Sequence, residues 1–310
     1  MAKNYYLGLE NFNYGGIFLM KVGVQISRFD FPGGESEIGS NLKGIAQAAE
    51  EAQFDSIWVM DHFFQLPHIG PYTDPMLEAY TTLGYLAGVT ERVKLGTMVT
   101  GVIYREPAVL INAVTTLDVI SGGRAYFGIG AGWNDQEAKA LGLLDPLHSR
   151  RFTRLEDVLK LALKMWSGDS TKFEGEIYNL PEPYLSPQSV TKPHPPILIG
   201  GGGEEKTLYF VAKYADACNL FAHDMNVLKH KLEVLKKHCL DIGRNYEDIE
   251  KTSLVGVGIN EVSRDQKQML ERAKELKEMG IEHIIYAASK DADPSSYKSL
   301  KETIDRIHVL

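Results

Sequence analysis

Cysteine is nearly absent from this chain: its 310 residues include two, Cys218 and Cys239. Without a paired spacing they read as reduced thiols of a cytoplasmic protein rather than a disulfide framework. No apolar run approaches the roughly 20 residues that a membrane span requires. Basic charge is not in excess either. Lys and Arg number 33 against 41 Asp and Glu, a formal net charge of -8, which argues against a nucleic-acid-binding surface. The P-loop, the G-x-S-x-G elbow and the kinase signatures are missing. His62 and His68 stand six apart with no carboxylate at supporting spacing, so no metal set is expected.

What remains is an ordinary globular composition, 44% hydrophobic and 24% charged, long enough for one large α/β barrel or two modest domains. Met20-Lys21-Val22-Gly23 reads as a domain start, leaving residues 1–20 as a leader or extension and 21–310 as the barrel domain. From there short apolar runs alternate with stretches of helical period. Strands are expected at 22–26, 56–60, 93–99, 125–130, 197–199, 217–221, 253–259 and 283–286. Helices are expected from an N-cap at Ser40, over 75–89, 108–120 behind Pro107, 152–166, 204–214, 226–242, 264–279 and 295–307. Residues 168–196 contain six prolines and read as an excursion with one hairpin near 172–179. Eight strand-then-helix units with no linker predict a (β/α)8 barrel, with insertions after strands two and four.

In such a barrel the carboxyl ends of the strands carry the chemistry. Strand two ends in Asp61-His62-Phe63-Phe64. His62 can exchange a proton near neutral pH, and Asp61 can orient it or accept a hydrogen bond from a ligand. The other ends supply Ser27 and Arg28, Thr100 to Arg105, Gly130 to Asn134, Gly200 to Gly203, His223 with Asp224, Asn260, and Ala287 to Lys290. Four consecutive glycines, Gly200 to Gly203, let a backbone approach an anion closely. The spacing is not that of the dinucleotide fingerprint. Gly128-Ile129-Gly130-Ala131-Gly132-Trp133 is a glycine-thinned strand end closing on an indole, which suggests that something flat or bulky comes close.

Five pieces in order carry a resemblance: residues 54–62, 95–99, 128–133, 151–156 and 196–202. Over about residues 20–310 the chain resembles the luciferase-like monooxygenase superfamily, in particular its coenzyme F420-dependent oxidoreductases. The resemblance implies a barrel with a long insertion after strand four, often a homodimer, acting on a small-molecule substrate. It implies that Asp61 contacts the deazaflavin ring system and that His62 stands beside the hydride-transfer centre. Met98-Val99 would match the non-prolyl cis peptide backing the ring, and Gly132 and Trp133 would line it. The amides of Gly201, Gly202 and Gly203 would hold the coenzyme phosphate. Gln25, Phe221 and Asp224 depart from relatives that act on a pterin or a sugar phosphate. The substrate expected here is weakly charged, packed against Trp133, Phe63 and Phe221. The alternatives are an FMN-dependent monooxygenase of the same superfamily and a non-catalytic flavin-binding barrel.

Overall fold

The structure, a computed structural model, describes residues 19–143, 150–289 and 293–310. The leader expected at 1–20 lies outside them except for its last two residues, as do part of the interruption at 131–151 and Lys290.

Eight strands form the barrel wall: β1 (Lys21–Ile26), β2 (Ser56–Val59), β3 (Lys94–Thr97), β4 (Ala125–Gly130), β5 (Ile197–Gly200), β6 (Ala217–Phe221), β7 (Glu250–Gly258) and β8 (His283–Ala287). They pair in parallel in the order β3-β2-β1-β8-β7-β6-β5-β4, and β3 pairs back to β4, closing the cylinder. This is the expected (β/α)8 barrel. Both faces of each strand are covered, so every residue of β2 and β4 is buried. That double burial is why these strands read as continuous apolar runs rather than as alternation. Trp58, Tyr126, Leu198, Ala217 and Ile285 turn inward and pack on one another with Leu254. Their neighbours Ile57, Phe127, Ile197 and Ile284 turn outward against the helices.

The helical ring comprises α1 (Ile38–Glu51), α2 (Ala79–Val89), α3 (Pro107–Ile120), α4 (Asp135–Ala140), α5 (Arg151–Trp166), α6 (Thr207–Tyr214), α7 (Met225–Ile242), α8 (Ile259–Arg264), α9 (Gln266–Glu278), α10 (Pro294–Lys298) and α11 (Lys301–His308). Pro107 stands at the first position of α3, as expected of a residue lacking an amide hydrogen. Ser40 is not the cap of α1: Glu37 precedes the helix, and the Ser40 hydroxyl bonds back to the Glu37 carbonyl at 2.9 Å. The hairpin in the proline-rich excursion pairs Phe173–Glu174 with Asn179–Leu180. Among the described residues no helix is long and apolar enough to cross a membrane.

Candidate active site

Since all eight strands run one way, the segments after β2, β3, β4 and β5 emerge at the same mouth. His62 and the glycine turn at 200–203 share that mouth, the condition for one bound molecule to touch both.

The floor is set by close backbone approach. A Cβ on Gly128 would fall 1.8 Å from the Thr97 carbonyl oxygen, so only glycine lets β3 and β4 come this near. One on Gly200 would fall 2.9 Å from the Val99 side chain, which packs between the ends of β4 and β5. The Met98-Val99 peptide is cis, and the Gln25 amide donates to the Met98 carbonyl at 3.0 Å.

His62 is anchored from one side. Its Nδ1 lies 2.7 Å from Oε2 of Glu137, on the first turn of α4. The same oxygen accepts from the Tyr104 hydroxyl at 2.6 Å. Oε1 accepts from the amides of Phe63 at 2.5 Å and Phe64 at 3.0 Å. Glu137 is wholly buried. Burial opposes its ionisation, yet the hydrogen bonds from His62 and Tyr104 hold its carboxyl below the ordinary glutamate value. Tyr104 is pushed the other way, by burial and then by Glu137, and stays a donor. The Trp133 indole meets the imidazole edge-on, centroids 5.6 Å apart, with 60% of the residue exposed. Arg151 pins that loop by donating to the Gly132 carbonyl at 2.8 Å. Phe63 packs edge-on against Tyr104 at 5.5 Å.

Asp61 is buried, with both oxygens on Arg105 at 2.5 and 3.0 Å. Burial drives its carboxyl upward and the guanidinium opposes that shift. Arg105 also pairs with Glu78 and lies 4.8 Å from the Tyr80 ring centroid. Both oxygens of Asp61 are thus held by Arg105 just past the end of β2.

At the glycine turn the Gly201 amide donates to the Asn219 carbonyl at 3.3 Å, closing β5 against β6. The amides of Gly202 and Gly203 have no acceptor among the described residues. Lys231 of α7 runs alongside, its Cε 3.7 Å from where a Gly202 Cβ would stand, with Nζ on Glu204 at 2.5 Å. Two free amides beside an ammonium suit a phosphate. Phe221 stacks on His223 at 5.6 Å.

The structure therefore gathers Glu137, Tyr104 and Trp133 around the His62 imidazole, with Phe63 behind Tyr104, and Val99, Gly130 and Gly200 around one floor. Sequence reasoning passed over Glu137 and Lys231. Glu137 stands three residues after Asn134, which caps α4. That spacing already suggests a capping box and so masks a second role.

A closed barrel of eight parallel strands with helices between them defines the (β/α)8 class. Within that class the chain belongs to the luciferase-like monooxygenase family, whose sequence profile matches residues 20–306. An F420-dependent glucose-6-phosphate dehydrogenase of Kineococcus radiotolerans is 30% identical over 82% of this chain and 72% of its own length. The pyrimidine monooxygenase RutA of Yersinia enterocolitica is 31% identical over 59% of this chain and 50% of its own. Among solved structures, an F420-dependent secondary alcohol dehydrogenase in complex with an F420-acetone adduct superposes with a TM-score of 0.77 at 19% identity, over 93% of this chain and 99% of its own.

Proposed function

We propose that this chain is a coenzyme F420-dependent oxidoreductase that transfers a hydride between the deazaflavin and a small, weakly charged alcohol, carbonyl or activated alkene. One observation carries the reading. An imidazole tethered through Nδ1, its Nε2 without a hydrogen-bond partner among the described residues, stands at the same barrel mouth as a glycine turn with two amides likewise unpartnered. The dehydrogenase from Kineococcus supports the coenzyme.

When bound, the coenzyme supplies the redox chemistry. The protein binds and orients. The amides of Gly202 and Gly203, with Lys231, hold the phosphorylated tail; Met98, Val99 and Gly132 form the wall for the ring. Trp133, exposed beside the imidazole, would line the ring, and His62 would take or return the substrate proton. The match to a pyrimidine monooxygenase sustains FMN as the second reading, since the same turn would accept its phosphate. Titrating apo-protein with each coenzyme decides between them. Tighter binding of F420, with reduction of the bound coenzyme by an alcohol panel, is the expected outcome. Binding of FMN alone, with oxygen uptake, would overturn it.

We also propose a homodimer. Helices α2 and α3 carry one charged residue between them, Asp118, and it is buried. Their outer faces instead present Tyr85, Val109 and Ile120. An uncharged face on an acidic chain suits a second copy. Sedimentation should give twice the chain mass, and the monomer mass at micromolar concentration would refute this. Two buried free thiols accord with a cytoplasmic setting.

A further inference from the structure

Glu137 is a fully buried carboxylate with no Lys or Arg partner among the described residues. Such a charge is costly unless its surroundings use it. Four donors meet it, and three of them, the Phe63 and Phe64 amides and the Tyr104 hydroxyl, would be satisfied by a neutral acceptor. The fourth is a ring that can itself become charged. A carboxylate accepts and does not donate, so Nδ1 of His62 must carry the hydrogen in the 2.7 Å bond. Nε2 is then left with its lone pair, on the side of the ring away from α4.

We propose that Glu137 is the positioning residue of His62. It fixes the Nδ1–H tautomer and sets a negative charge beside the imidazolium that forms when Nε2 takes a proton. This inference rests on the oxidoreductase reading for its chemistry but not for its geometry. As an alcohol C–H bond breaks and its hydrogen leaves with the bonding pair, as hydride, for the oxidised deazaflavin, the hydroxyl proton passes to Nε2 and the O–H pair becomes the second C–O bond of the carbonyl. In the reverse direction the imidazolium returns that proton to the oxygen of the new alcohol. Glu137 never exchanges a proton with the substrate. Its backbone bonds to Phe63 and Phe64 hold the loop that carries the ring, so tautomer and orientation are set by one side chain.

The test reads the ring without needing turnover. In protein labelled with 15N-histidine and free of coenzyme, two-bond 15N–1H correlation spectra should report neutral His62 as the Nδ1–H tautomer. In Glu137→Gln the side-chain oxygen keeps the two backbone amides. The amide nitrogen then faces Nδ1, so the tautomer should flip to Nε2–H. Turnover should drop by at least about 10²-fold, with coenzyme affinity within about threefold of the parent. Tyr104→Phe, which leaves the charge in place, should retain the parent tautomer. An Nε2–H ring in the parent protein, or an unchanged tautomer in Glu137→Gln, overturns the proposal whether or not the variant is active. A flipped tautomer in a parent that turns over no substrate would uphold the positioning role and defeat the oxidoreductase reading instead.

Discussion

An imidazole held at one nitrogen can exchange protons only through the other, and His62 is such a ring. Removing it while leaving the glycine turn intact separates chemistry from binding. His62→Ala should therefore bind the coenzyme with nearly parental affinity and lose at least about 10²-fold in turnover, the scale of a lost general acid or base. Fluorescence titration and steady-state rates measure the two quantities, and parental turnover would remove His62 from the mechanism. That His62 would sit at a strand end was legible from the apolar run before it. Glu137 was not, because a carboxylate 75 residues away is brought to the ring only by closure of the barrel. Lys231 was hidden for a similar reason. It lies on α7, and only the packing of α6 against α7 sets it beside the glycine turn. The partner of Asp61 was likewise not legible: nothing local in the sequence announces that Arg105, 44 residues on, occupies both its oxygens.

Strands were read more securely than helix ends. A parallel barrel strand is apolar on both faces, so β2, β4 and β5 stand out as short runs whatever lies around them. Where charge enters a strand the signal fades. Strand β7 begins at Glu250 and Lys251, three residues before the expected start, because both charged side chains are taken up by partners at the base of the barrel. Beyond Gly258 the chain turns at once into α8, a six-residue helix whose first residue, Ile259, falls in the expected strand and whose next four fall in the expected loop. Ile259 and Val262 are its buried positions, too few for helical period to emerge. The closing helix expected over 295–307 is two, α10 and α11, broken at Ser299 and Leu300. Tyr297, Leu300, Ile304 and Ile307 are all buried, so the apolar spacing runs through the break and conceals it. Helix α1 illustrates the weakness of a single cap residue. Ser40 has the right chemistry, but the helix starts at Ile38, where a preceding turn at 35–37 already supplies a helical lead-in.

Across the whole molecule the two mouths of the cylinder are built on different principles. The carboxyl mouth leaves the outer nitrogen of His62 and the Gly202 and Gly203 amides without a partner among the described residues, whereas the amino mouth is closed by a polar plug. Glu250 Oε1 accepts from Lys21 at 3.0 Å and meets His283 Nδ1 at 3.2 Å, and Oε2 accepts from Tyr126 at 2.9 Å. Beyond His283, Ser56 bonds to its Nε2 at 2.8 Å and receives the Trp58 indole at 2.7 Å. These side chains come from β1, β2, β4, β7 and β8, so the plug ties together strands far apart in sequence. Burial alone would raise the Glu250 carboxyl, but Lys21 and His283 outweigh it and hold it far below the glutamate range. For Lys21 burial works against the charge, and Glu250 more than compensates, raising it above the ordinary lysine value. A carboxyl held low contributes stability that is present above about pH 4.5 and drains away as pH falls toward its folded value. An ammonium held high contributes stability that is present below about pH 10.4 and is lost as pH climbs through its folded value. The Lys21–Glu250 pair should therefore contribute nearly constant stability between about pH 5 and 10, with losses outside. Glu250→Gln leaves Lys21 without its counter-charge and, because that ammonium is 40% exposed, should lower unfolding free energy at pH 7 by only about 1 to 2 kcal/mol. Because the parent carboxylate is neutralised in acid, the gap between the two proteins should narrow from pH 4.5 downward. Denaturant unfolding at pH 7, 4 and 3 measures that gap, and one that stays constant across the three would mean that Glu250 holds the barrel by shape rather than by charge.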